Sequence, residues 1–336
     1  MINVKSSFTK GYFFNWKKNW FIIIMPLFFL LFPLIVESNY IIDVAFFFGI
    51  YTLLGLSLNI VLGEVGLFDL GHMGFAAIGA YTTAILNTSF GIPVLILLPV
   101  SAVAAAIFAY LVCSPIIHLR GDYLCIVTIG MGEIVRLTLI NNPFGITGGP
   151  NGVFGICFPS IGNLFIIDSC LKYYYFIWFI VGLSVVALIR LQDSRIGRAW
   201  NCIREDVIAA EASGIDVRYY KLLAFILGAA LAGVAGSIYA SKLMVVSPES
   251  FIFMESCLLF SIVLIGGMGS IPGIFIGAAA ISLFPEIFRP FAQYRMLVFG
   301  VAMVLMMMFR PGGIWPRQRG KLKTESMLIK AGKSEI

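Results

Sequence analysis

The sequence predicts an all-α, polytopic membrane protein, and three observations carry that prediction. Hydrophobic residues fill 60% of the 336 positions and charged residues only 12%, with a mean hydropathy of +0.97; soluble domains hold roughly 45–50% apolar and about 25% charged residues. Stretches such as 70–119 and 256–285 contain no Asp, Glu, Lys or Arg. The 23 basic residues gather at a few places instead of forming the stripe that a nucleic-acid surface needs, so nucleic acid is excluded as a partner. No room is left for a soluble catalytic domain.

A helix crossing a bilayer takes about 20 apolar residues, which divides the chain as follows. A cytoplasmic N-terminal tail, residues 1–19, carries Lys5, Lys10, Lys17 and Lys18. The run 20–36 is too long for the apolar core of a signal peptide and leads into Glu37-Ser38-Asn39-Tyr40 without a cleavage site, so it reads as a retained first span. Further spans are expected at about 42–62, 70–88, 93–117, 123–140, 173–189, 222–241, 256–268, 271–288 and 296–309, separated by polar or Gly/Pro punctuation. This makes about ten transmembrane helices within a 20–309 membrane domain. Eight suffice if two of the shorter segments are re-entrant or broken.

With the N-terminus inside, eighteen Lys and Arg fall on the inner side and four (Lys172, Lys242, Arg289, Arg295) outside, while Arg136 lies within a span. Both termini, including the basic tail 310–336, are therefore expected in the cytoplasm. The outer loop 141–172 is rich in Gly, Pro and Asn and predicts tight turns over a surface. The inner loop 190–221 alone is rich in charge. Its run Arg198 to Ser213, closed by Gly214, predicts a short amphipathic helix with a glycine C-terminal cap.

Two glycine clusters, Gly63/Gly66 to Gly79 and Gly266/Gly269 to Gly277, each open an apolar, small-residue helix. If the third and eighth spans correspond, their odd offset gives an inverted repeat with interrupted helices on the substrate path; close helix packing is the simpler account of the same glycines. Glu133 and Arg136, three residues apart in the fifth span, neutralise each other as a structural pair or serve transport. Asp69 is placed to cap the third span, and Asn59 to bond across helices. His72 and His118 lack ligand-spaced partners, and the six cysteines are scattered without a CxxC; neither a metal site nor a disulfide framework is predicted. Gly332-Lys333-Ser334 lacks the earlier glycine, strand and helix of a phosphate-binding loop, so this chain binds no ATP by that motif.

The runs 56–75 (LSLNIVLGEVGLFDLGHMGF), 119–130 (LRGDYLCIVTIG) and 132–137 (GEIVRL) resemble the branched-chain amino acid ABC permeases, in their LivM branch. TGGPNG (147–152), GRAWNCIRED (197–206) and GGMGSIPG (266–273) continue the match in order over about residues 40–310. The resemblance implies one permease half of an importer for leucine, isoleucine and valine. It implies as partners a second homologous permease, two cytoplasmic ABC ATPases that hold ATP and Mg, an extracytoplasmic solute-binding protein and the surrounding lipid. No cofactor and no catalytic residue is implied for this chain itself.

The 190–221 loop is then the ATPase-coupling segment, with Gly197, Arg198, Arg204, Glu205, Asp206, Ala209, Ala210 and Gly214 as its candidates. It departs from the family's coupling pattern by Ile208 where a glutamate is usual. Asn59, Gly63, Gly66, Asp69, Glu133, Arg136, Gly266 and Gly269 are the translocation-path candidates. A urea or short-chain amide permease of the same family is the alternative, and an ion-coupled carrier a more distant one, since only Glu133 and Arg136 offer membrane-embedded charge.

Overall fold

The computed structural model describes residues 38–287 apart from 120, 162–164 and 168, together with residues 32–33 and isolated positions between 294 and 315. The spans expected at 20–36 and 296–309 and both tails lie largely or wholly outside the described residues. Eight helices cover the remaining expected spans: α1 (Asn39–Leu58), α2 (His72–Phe90), α3 (Val94–Ile116), α4 (Gly121–Ile140), α5 (Cys170–Asp193), α8 (Val217–Leu243), α9 (Phe253–Gly266) and α10 (Ile271–Ile287). Two short helices, α6 (Arg195–Glu205) and α7 (Val207–Ala212), fill the 190–221 loop between α5 and α8.

Among the described residues, six helical stretches are long and apolar enough to cross a membrane, and Ile271–Leu283 is a shorter apolar one. α2 is long enough, yet its His72, Thr83 and Asn87, all buried, leave it below that hydropathy. Where apolar runs exceed about 18 residues the backbone must close its own hydrogen bonds in lipid, so a helix is the available solution.

α8 is the hub and packs on α1, α2 and α3. It does so through small residues, as membrane helices without a hydrophobic drive between them must: Gly233 faces Ser101 and Ala105 of α3, and Gly236 faces the Ala76 carbonyl of α2. α1 also packs on α5 and α10, and α9 lies against α10. Lys242 pairs with Asp43 at 2.8 Å and sits over the rings of Phe46 and Tyr173, joining the ends of α8, α1 and α5.

The 141–172 loop follows its turn-rich sequence. Asn142, Gly145, Gly148, Gly149, Gly152 and Gly155 all have positive φ. β1 (Val153–Phe154) pairs antiparallel with β4 (Val245–Val246), and β2 (Ser160–Ile161) with β3 (Phe165–Ile166). All six cysteines are free.

Two expectations need correction. The helix expected over Arg198–Ser213 is two helices, because Asp206 is extended (φ −156°, ψ 114°) and its carboxylate accepts from Ile208 N and Ala209 N to start α7 afresh. The glycine clusters close helices before they open others: α1 ends in a π-helical turn, Asn59–Val65, stopped by left-handed Gly66, and α9 ends at Gly266 before left-handed Gly267. Counting the long helices from one break to the other (α2, α3, α4, α5, α8, α9) gives six, so the second cluster opens the ninth expected span, α10, and not the eighth. The odd offset drawn from the third and eighth spans is therefore not the offset of the glycine clusters.

Candidate functional site

The two breaks lie against each other. Asn59, in the π-helical turn and 1% exposed, accepts from the Gly269 backbone N–H at 2.9 Å, across 210 residues of chain. A Cβ on Gly63 would overlap the Asn59 carboxamide and stand 2.6 Å from Gly269 N, so only glycine permits this approach. π-turns and positive-φ glycines free backbone groups that a regular helix would consume. Gly313 reaches the second break as well, where Ile314 N donates to Ile265 O and Trp315 N to Gly266 O.

Just beyond the first break, three buried side chains form a chain. Asp69 accepts from Gly71 N with one oxygen (3.0 Å) and pairs with His72 Nδ1 through the other (2.8 Å). His72 Nε2 lies 2.7 Å from the Ser57 hydroxyl, itself 2.6 Å from Leu54 O. The one hydroxyl proton serves one of two acceptors. A neutral His72 takes it at Nε2, and a doubly protonated His72 donates there and leaves it to Leu54 O.

The cap expected of Asp69 is not formed: Gly71 is the N-cap of α2, without a side-chain bond, and Asp69 holds Gly71 N and His72 from the break before it. Sequence reading missed both of the histidine's partners, Ser57 lying on the preceding helix. Ser57, His72 and Asp69 are all 0% exposed, so no substrate reaches this serine as a nucleophile; the trio braces the break. Thr128 of α4 adds its hydroxyl oxygen as acceptor for Leu70 N at 3.2 Å.

The 190–221 candidates surround the other side of the same turn. The Arg204 guanidinium donates to the Gly63 carbonyl, and its stem covers Gly66. Beside it, Gln192 Nε2 donates to Glu64 Oε1 at 2.7 Å. Gly197 packs on the last carbonyls of α5, and Trp200 Nε1 donates to Tyr220 O, fixing α6 on α8. Arg198 donates to Asp193 O.

Asp206 caps α7, Ala210 is buried beneath it, and Gly214 (φ +79°) ends it with space around its Cα. Glu205 and Ala209 face outward. Val207 and Ile208 are exposed, the latter by 73%, so the position where the family pattern is broken presents the segment's most open apolar side chain.

Glu133 and Arg136 are placed elsewhere. They pair on α4 (Arg136 Nε to Glu133 Oε1, 2.9 Å), and Arg136 Nη1 reaches Glu249 Oε1 at 2.9 Å in the 3₁₀ turn Pro248–Phe251. Only 22% of the apolar window of α4 is buried, leaving Tyr123, Ile126, Ile134 and Leu137 open. The structure thus unites Asn59, Gly63, Gly66, Asp69, Gly266 and Gly269 with Arg204 and leaves Glu133 and Arg136 on an outer helix.

Comparison with known proteins is consistent across relatives. The family described as branched-chain amino acid transport system, permease component, matches residues 40–307. The high-affinity branched-chain amino acid transport system permease protein LivM of Escherichia coli K12 is 42% identical over 307 residues, covering 85% of this chain and 72% of the relative. The probable LivM of Methanocaldococcus jannaschii is 24% identical, over 81% and 92% of the two chains. The permease protein LivH of Salmonella typhimurium is 27% identical, over 80% and 91%. No solved structure matches.

Proposed function

The chain belongs to the family of branched-chain amino acid transport system permeases, and from that premise we propose how it works as a permease subunit of an importer for leucine, isoleucine and valine. It forms half of the passage, beside a second, related permease. Two ATPases dock from the cytoplasm and supply ATP and Mg²⁺ chemistry, and a solute-binding protein delivers substrate from outside. Both termini and the 190–221 segment face the cytoplasm of the bacterial inner membrane, on the basic-residue asymmetry of the sequence. Ten spans are part of the same reading, supported by eight that coincide with helices. The inverted repeat also belongs to it, with its pairing to be sought outside the glycine breaks.

The observation that carries the mechanism is the bond from Arg204 to the Gly63 carbonyl. It ties α6, in the segment that faces the ATPases, to the break where α1 stops being a regular helix. Movement of α6 and α7 under an ATPase pulls on the π-turn, and the π-turn is joined through Asn59 to the second break. The exposed Val207 and Ile208 supply apolar contact for the docking groove, with Glu205 and Glu211 at the rim.

Reconstitution of the full importer in proteoliposomes tests this. Arg204→Ala is expected to assemble and to hydrolyse ATP while losing most leucine uptake. Uptake per ATP equal to wild type would remove Arg204 from the coupling path.

A further inference from the structure

A partly open cavity of about 160 Å³ lies between α1, α2, α8 and α9, well above the roughly 10–15 Å³ that one water needs on the same measure. Here it is kept open by small residues, with Ala76, Ala235 and Gly236 on one wall where larger side chains would fill it. Ile50, Leu54 and Met73 make an apolar wall, and Tyr51, Ser250 and Glu255 supply polar atoms at another. The Tyr51 hydroxyl donates to Glu255 Oε2 at 3.3 Å, which sets the direction of the carboxylate.

Tyr51 precedes Asn59 by eight residues, about 12 Å along a helix at 1.5 Å per residue. At the other end Met73 N donates to Ser256 Oγ, so the cavity is stitched to the start of α2 just past the first break.

We propose that this cavity is a holding site for the branched-chain amino acid within the permease, with the substrate ammonium at Glu255 and its aliphatic side chain against Ile50, Leu54 and Met73. The proposal rests on the importer reading and deepens it. A small zwitterion with a branched aliphatic arm needs a carboxylate for its ammonium, a hydroxyl donor such as Ser250 for its own carboxylate, and a dry wall for its tail, and a cavity carrying all three suits it better than a lipid chain or bulk water. Leucine and valine differ only at the apolar end, which faces the same wall in both, so the site accepts the class rather than one member. Tyr51 acts as a positioning residue, holding Glu255 toward the cavity.

The test uses the complete importer with loaded binding protein in proteoliposomes. Glu255→Gln should cut leucine uptake on the order of tenfold, the scale of losing one charge-assisted bond, while ATP hydrolysis stimulated by loaded binding protein stays at the wild-type level. Tyr51→Phe should show a smaller loss of the same kind.

Because a variant can fail for other reasons, a diazirine-bearing leucine analogue is photolysed in the wild-type importer and labelled residues are mapped by mass spectrometry. Labelling at Met73, Tyr51 or Phe251 that excess leucine suppresses supports the site. Wild-type uptake in Glu255→Gln, or labelling there that leucine does not suppress, overturns it and marks the space as a packing void or a lipid position. A wild-type importer that moves no branched-chain amino acid overturns the importer reading, and this proposal with it.

Discussion

Replacing Gly233 with alanine tests whether the contact between α8 and α3 depends on the absence of a side chain. The added Cβ would stand 2.7 Å from both the Ala105 Cβ and the Ser101 carbonyl oxygen. Normal carbon contacts lie near 3.5–4.0 Å, so α3 must retreat by about 1 Å along a face that also holds Leu97 and Ala109 buried. Neither obstacle is a flexible side-chain tip, since one is backbone and the other a methyl fixed to it.

Overpacking of this kind costs about 1–3 kcal/mol, offset by the roughly 0.5–1 kcal/mol that alanine gains over glycine inside a helix. The net expectation is a loss of up to about 2.5 kcal/mol, centred on about 1 kcal/mol. Thermal unfolding of the detergent-purified chain, followed by loss of the monodisperse peak, reads this as a midpoint a few degrees lower. Gly182→Ala in α5 is the control, because nothing lies within 4 Å of its added Cβ, and it should be neutral or slightly stabilising. Adding Ala105→Gly to Gly233→Ala removes one of the two obstructions and should recover about half of the loss, a coupling that a double-mutant cycle isolates. If Gly233→Ala melts with the control, the glycine is not required for this contact and the packing argument fails.

Three further outcomes follow from the site. Asn59→Ala leaves the buried Gly269 N–H without its acceptor and should cost about 1–3 kcal/mol; faster hydrogen exchange at Gly269, with little change elsewhere in α9 and α10, would show it. Asp206→Ala removes the cap of α7 and should cost that helix about 1 kcal/mol, read as increased protease cutting within 206–214 while uptake of the full importer falls. His72→Phe breaks both arms of the Ser57–His72–Asp69 chain and strands a buried carboxylate, so it should lower the unfolding midpoint more than Ser57→Ala does; equal effects would show that the histidine–aspartate arm carries no stability.

Much of the architecture was legible in local sequence. Whether a segment becomes a membrane helix is decided by the length of its apolar run and by the need to satisfy its own backbone, both properties of about 20 consecutive residues. For that reason the segments read at 42–62, 93–117 and 222–241 reappear as α1 with its π-turn, α3 and α8. Turn residues marked the outer loop, and the motifs carried the family.

Where such reading faltered, the deciding partner was distant or the competition was local and fine. The alanines around Asp206 favour helix and predict an unbroken one, yet its carboxylate serves two backbone amides better as a cap. His72 looked partnerless because Ser57 sits on the preceding helix and Asp69 on the break itself.

Read along the chain, the residues are enough to say that it crosses the membrane many times, where its helices can break, and to which family it belongs. That Asn59 meets Gly269, that Arg204 turns to Gly63, that Glu133 and Arg136 stay on an outer helix, and that Tyr51 and Glu255 face one cavity emerges once the helices are packed together. The physical reason is that hydropathy is summed along the chain, whereas the polar contacts between helices depend on how small residues let separate helices approach, and no single segment contains that information.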